Sequence, residues 1–172
     1  MPSFWFVFRH YEFDGSTLLL VQIGILMHFS GAFLYVDQHR LYDQIVLGLR
    51  YDKYVHFVNA FAATLLISRL FQVQRIALTR ANNVFVVLVV LGLGAVIEIV
   101  EYAVVLTVQH NGVGGYDNNM QDLIANLAGA CSFMLSKYLW NWRAKAWSTR
   151  PAKPVVNSLS PVTVKPRVID PP

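Results

Sequence analysis

Four long apolar blocks constrain this chain more than any other feature. The first runs from about Thr17 to Val36 and the second from about Tyr54 to Phe71. The third runs from Val84 to about Val108 and the fourth from about Leu123 to Trp140. Each approaches the ~20 residues a helix needs to cross ~30 Å of hydrocarbon. Lipid offers no partner to an unpaired backbone amide, so segments of this kind are expected to be helical. The fourth needs its flanks to span. The short apolar stretch Leu41 to Leu49 is expected to lie along the interface as a further helix. The expected fold class is therefore all-α: a polytopic membrane helix bundle of about four transmembrane helices plus that interfacial helix. No internal repeat is apparent.

Composition agrees. Of 172 residues, 55% are hydrophobic and only 14% charged, against ~25% charged in soluble domains. The mean hydropathy is +0.44. Residues 1–148 are expected to form one membrane domain. The segment 149–172, with Pro151, Pro154, Pro161, Pro166, Pro171 and Pro172, reads as a disordered tail that cannot pack. Met1 to Asp14 lacks the pattern of a cleavable signal peptide. Cys131 is the single cysteine, so no intrachain disulfide can form. The net charge of +4 is dispersed and does not suggest nucleic acid.

The Lys and Arg distribution orients the spans. Arg69, Arg75 and Arg80 surround the second connection, and Lys137, Arg143, Lys145, Arg150 and Lys153 follow or end the fourth span. The segment from His110 to Gln121 carries none. Both termini are expected to be cytoplasmic, in the inner membrane of a bacterium. Trp140, Trp142 and Trp147 suit an interfacial belt at that side.

Acids inside such spans are costly, about 2.5 kcal/mol or more each. Glu98 and Glu101 lie within the third span, three apart and on one face. Asp52 and His56 are four apart at the start of the second span, with Asn59 continuing their face. A carboxylate beside an imidazole orients it as a base, or both bind metal; a helix cap and a hydrogen-bonded histidine are the plainer alternative. Asp117, Asp122 and Asn126 open the fourth span. The glycine-rich segment His110 to Tyr116 could wrap a phosphate or simply turn. Glu98 lies about 21 Å from the inner end of its span at ~1.5 Å per residue. Three segments thus deliver acids and a histidine to one depth, toward the outer side. His28 in the first span is expected to bond between helices or to line the same cavity.

In order, Asp52-Lys53-x-x-His56, Glu98-x-x-Glu101 and Asp122-x-x-x-Asn126-x-x-Gly129 resemble the motif series of VanZ-like membrane proteins. The YjdF-like branch is similar in its Tyr51-Asp52-Lys53 start and paired glutamates. The resemblance covers about Tyr51 to Ala130. Two departures stand out: Glu101 where VanZ-like proteins often carry Gln, and Asn118 preceded by Asp117 where the YjdF-like branch tends to have Asp. VanZ-like proteins are associated with glycopeptide resistance. They have been grouped with lipid-acting families in a proposed lipocone superfamily. The resemblance implies chemistry on the phosphate-linked head group of a membrane lipid.

The first functional reading is accordingly an enzyme cleaving or exchanging a lipid phosphoester. His56 would act as base or nucleophile, oriented by Asp52, with Glu98, Glu101 and Asp122 completing the catalytic set. Glu98, Glu101, Asp122 and Asp117 would hold a divalent cation; all-oxygen ligands favour Mg²⁺, Ca²⁺ or Mn²⁺. Tyr51, Lys53, Asn59 and Asn126 would contact substrate, Lys53 at the phosphate. The second reading is a small carrier or a lipid- or antibiotic-binding protein using the acids as a proton or cation site. The third is a membrane adaptor without chemistry. The apolar inner half of the third span, Val84 to Ala95, counts against a continuous transport path. A membrane lipid is the expected partner, and a homo-oligomer is compatible with so few spans.

Overall fold

A computed structural model describes residues 13–108 and 115–148. It contains four long helices: α1 (Gly15–Phe33), α2 (Tyr51–Val73), α3 (Arg80–Thr107) and α4 (Tyr116–Ser148). The first three are long and apolar enough to cross a membrane. With 33 residues, α4 reaches about 50 Å, well beyond the hydrocarbon thickness, and it is the more polar. The chain is thus mostly all-α, as expected. The proline-rich tail and most of the glycine-rich segment before Tyr116 lie outside the described residues.

Cross-helix contacts give the directions. Along α1 and α2, Ser30 meets Tyr51 at 3.1 Å and Asp14 meets Arg69 at 3.5 Å, so these helices are antiparallel. Along α2 and α4, Lys53 meets Asp122 and Phe61 meets Phe133, so these run parallel. Lys137 of α4 meets Asn83 of α3 at 3.2 Å, so α3 runs opposite to both. The result is an up-down-up-down bundle with α2 at its centre. No residue of α2 from Tyr51 to Ser68 is exposed.

The packing is inverted relative to a soluble bundle. Large apolar side chains such as Leu19, Phe33, Ile99, Leu106 and Ile124 face outward, where lipid would cover them. The interior is rich in small and polar residues, among them Thr17, Ala60, Ala62, Thr64 and Ala130, with valine its largest buried apolar side chain. Small residues let helices approach closely where no hydrophobic drive brings them together. Gly129 shows the consequence: a β-carbon there would strike the Phe57 carbonyl oxygen of α2. On α3 the buried residues are Val86, Val90, Gly94 and Glu98. Spaced by four, they form one stripe, which turns Glu98 into the bundle. Thr79 caps α3, its hydroxyl accepting from the Asn82 amide at 3.1 Å. Asp14 precedes α1, where hydroxyl bonds from Ser16 and Thr17 hold its carboxyl below the usual range.

The expected interfacial helix over Leu41 to Leu49 is not formed. That stretch belongs to two tandem two-residue hairpins, β1 (Tyr35–Val36) with β2 (His39–Arg40), and β3 (Ile45–Val46) with β4 (Leu49–Arg50). A single helical turn, Leu41–Asp43, joins them. The turns explain the outcome. Asp37 and Gln38 have φ of 49° and 65°, Leu47 and Gly48 have φ of 50° and 86°, and positive φ at both central residues is the twist a tight hairpin needs. The two hairpins also repeat at a spacing of ten, with Val36 and Arg40 matched by Val46 and Arg50. The expectation of no repeat is corrected accordingly.

Candidate functional site

The elements converge at the end of the bundle where the hairpins, the start of α2 and the start of α4 meet. A cavity of about 240 Å³ opens there. Its polar lining comes from every one of these elements. His28 is from α1, Arg40 and Arg50 from the hairpins, and Asp52, His56 and Asn59 from α2. Glu101 is from α3, and Asn118, Asp122 and Asn126 are from α4. Glu98 lies just behind this wall, 6% exposed.

Three ligand-type atoms, from His56, Glu98 and Asp122, lie within 4.8 Å of one another. Ligands around one ion with ~2.1 Å bonds sit roughly 3–4.2 Å apart, so the group needs only slight closure. The surroundings of the three differ. Asp122, 1% exposed, accepts from Lys53 Nζ at 2.7 Å and from Asn118 Nδ2 at 2.8 Å, and His56 Nε2 is 3.5 Å away. Neither oxygen of Glu98 has a hydrogen-bond partner among the described residues. A buried carboxylate left so is costly unless protonated or ligating a cation.

Lys53 is 6% exposed and its ammonium is fully engaged. It donates to Asp122 Oδ1, to Asn118 Oδ1 at 2.9 Å and to the Asn118 carbonyl at 3.2 Å, and it reaches Asp52 Oδ2 at 3.3 Å. The residue expected to contact a phosphate is therefore a counter-ion inside the protein, with no hydrogen left for a ligand. The expected Asp52–His56 pair is also not formed. Arg50 Nε, at 4.0 Å, and Lys53 attract Asp52 Oδ2, and His56 turns to Asp122 instead. Asp52 Oδ1 is buried and unpartnered among the described residues.

Of the other expected site residues, Glu101, Asn59 and Asn126 line the cavity. Asn59 packs its amide oxygen against Gly24 of α1, and Asn126 packs its amide against Gly94 of α3. Tyr51 bonds to Ser30 and does not line the cavity. Asp117 is exposed and lies apart from the group; its neighbour Asn118 takes the inward position. Helical geometry explains this, since Asn118 is four residues before Asp122 and Asp117 is five.

Sequence reasoning missed the guanidinium wall. Arg40 Nε and Arg50 Nη2 share the Asp43 carboxylate at 3.2 and 2.5 Å, and Arg50 Nη1 donates to Asn118 Oδ1 at 2.9 Å. The ten-residue hairpin repeat was the signal that could have found them. Tyr42, on the turn between the hairpins, bonds His28 Nδ1 at 2.6 Å. Burial, followed by the nearby carboxylates, pushes its phenol well above the usual range.

An apolar cavity of about 460 Å³ between α1, α2, α3 and α4 adjoins the polar one and shares Asn59, Ile97 and Asn126 with it. The arrangement thus offers one wall of carboxylates and imidazole, one wall of guanidinium groups, and an apolar chamber reached past two asparagines.

A family model described as predicted membrane protein (DUF2238) matches residues 1–143, and the chain belongs to this family. The description names neither VanZ-like nor YjdF-like proteins. No curated protein and no solved structure matches the chain.

Proposed function

We propose that this member of the predicted membrane protein family DUF2238 is a membrane-embedded enzyme acting on the phosphate-linked head group of a lipid. The observation that carries the reading is Glu98, whose two carboxylate oxygens are buried and unpartnered beside His56 and Asp122. That donor set fits a divalent cation. One imidazole with two carboxylates favours Mn²⁺ over Mg²⁺ or Ca²⁺. When bound, the cation would offset phosphate charge as a Lewis acid.

The chain's own groups supply the rest. Arg40 and Arg50 suit the phosphate oxygens, because guanidinium forks match them in pairs. Asp52, whose Oδ1 has no partner among the described residues, would accept the proton of an attacking water or head-group alcohol. Glu101, which also lines the cavity, would return a proton to the leaving oxygen. A new P–O bond forms to the attacking oxygen as the ester P–O bond breaks. The adjoining apolar chamber supports a lipid substrate, with acyl chain beyond Asn59 and Asn126 and phosphate among the arginines. In this reading the site opens toward the outer leaflet of the inner membrane, with both termini cytoplasmic.

The test incubates the purified full chain with labelled phospholipids and polyprenyl phosphates, with and without divalent cations. Expected is cation-dependent release or exchange of the head group, abolished in Asp52→Asn and Glu98→Gln. No turnover of any lipid under any cation condition would overturn the enzyme reading.

A further inference from the structure

A second polar cavity, of about 440 Å³, opens between α2 and α4 at the far end of the bundle. Along α2, Ser68 lies about 24 Å beyond Asp52, and along α4, Lys137 lies about 22 Å beyond Asp122, at ~1.5 Å per residue. The two cavities are thus nearly one hydrocarbon thickness apart.

The charge at this end is opposite in kind. Lys137, Arg69, Ser68, Ser136 and Trp140 line the cavity, and no carboxylate does. Lys137 donates to Asn83 Oδ1 at 3.2 Å and has no ion-pair partner among the described residues. Ser68 is only 3% exposed, and its hydroxyl has no hydrogen-bond partner among the described residues. Arg69 is half committed, with Nη1 on Gln72 and Nε 3.5 Å from Asp14. Trp140 is largely exposed at the mouth, as interfacial tryptophans are. A buried hydroxyl without a partner and an ammonium without a counter-ion are satisfied together by one group, an oxyanion. A basic pocket between membrane helices at head-group depth is the setting in which anionic lipids are held.

We infer that the α2–α4 cavity at Lys137 and Ser68 is a second binding site, for the phosphate of an anionic lipid head group in the leaflet opposite the first site. It is independent of the reading of Glu98, since no residue is shared by the two cavities. Lys137 supplies charge, Ser68 a buried hydrogen bond, and Trp140 the depth marker.

Native mass spectrometry tests this on the full chain in detergent, titrated with dioleoyl phosphatidylglycerol, dioleoyl phosphatidylcholine or inorganic phosphate. Expected is a saturable phosphatidylglycerol adduct, beyond any at the first site, that Lys137→Gln weakens about tenfold, as the loss of one charge-assisted hydrogen bond implies. Lys137→Arg should restore it and Ser68→Ala should weaken it several-fold, whereas Asp117→Asn, at an exposed residue outside both cavities, should leave it unchanged. Lys137-dependent competition of inorganic phosphate with the lipid adduct would support the phosphate chemistry, whereas a Lys137-dependent phosphate adduct with no lipid adduct would overturn the lipid assignment. Wild-type phosphatidylglycerol binding by Lys137→Gln, or equal binding of phosphatidylcholine regardless of Lys137, would overturn it. Circular dichroism of each variant separates lost binding from lost fold.

Discussion

Lys53 and Glu98 are buried to the same degree, 6% exposed each, and flank the same carboxylate, that of Asp122. Their surroundings treat them in opposite ways. On the α2–α4 seam, the Lys53 ammonium reaches four acceptors, two of them carboxylates. On α3, the Glu98 carboxylate accepts nothing from the described residues. A buried charge fully enclosed by protein partners is part of the architecture, because the partners already offset its desolvation. One brought to the same depth without partners must either hold a proton or meet a group that arrives from outside, and the proposed function takes the second course.

The comparison breaks first at Lys53. If it is architectural, Lys53→Met leaves Asp52 and Asp122 buried without their cation. The expected loss is about 3–5 kcal/mol of stability, the usual cost of removing one partner of a buried pair, read by thermal unfolding in detergent. A variant as stable as wild type, with only substrate affinity reduced, would return Lys53 to the site. A smaller loss, about 1–3 kcal/mol, is expected of Gly129→Val, whose added carbons press on the Phe57 carbonyl. The same assay checks it, and no change would mean the seam can part there without cost. Asp43→Ala removes the carboxylate shared by Arg40 and Arg50. These groups are about a third exposed, so about 1 kcal/mol or less of stability is at stake. Its sharper effect should be a raised KM for phosphate-bearing substrate, with kcat changed less. Asp117→Asn should do least, within about 0.5 kcal/mol and with unaltered cation affinity, since Asp117 is exposed and apart from the group. A loss of cation binding there would show that Asp117 reaches the site.

The sequence carried the bundle and the site to different extents, for physical reasons. Helical periodicity and apolar length are local properties, so the four helices could be read directly. Convergence of Asp52, His56, Glu98 and Asp122 at one end also followed, because the rise per residue in a helix is fixed. Which side chains touch did not follow. The i,i+4 spacing allowed Asp52 to pair with His56, but Asp52 keeps to its sequence neighbours Arg50 and Lys53, and Asp122, which reaches His56 only after α2 and α4 pack, takes the imidazole. The same packing turned Lys53 inward and chose Asn118 over Asp117. The hairpins were hidden for another reason. Ile45-Val46-Leu47-Gly48-Leu49 is apolar enough to pass for helix, and only the positive φ at Leu47 and Gly48 makes it a turn. With the hairpins went Arg40 and Arg50, and with them the cationic half of the cavity.

Glu98, unlike Lys53, is proposed to hold a cation. Metal content and Mn²⁺-dependent thermal shift of the purified full chain, wild type against Glu98→Gln, test it most directly. Expected are one Mn²⁺ per wild-type chain and a saturable rise in Tm, as when a ligand binds only the folded state. Glu98→Gln should fold with undiminished metal-free stability, since a neutral amide is cheaper to bury. That variant should lose more than the ~10–100-fold in affinity that removing even an outer-shell partner costs. Equal metal content and equal Tm shift in the two proteins, or a Glu98→Gln chain that fails to fold without metal, would contradict it.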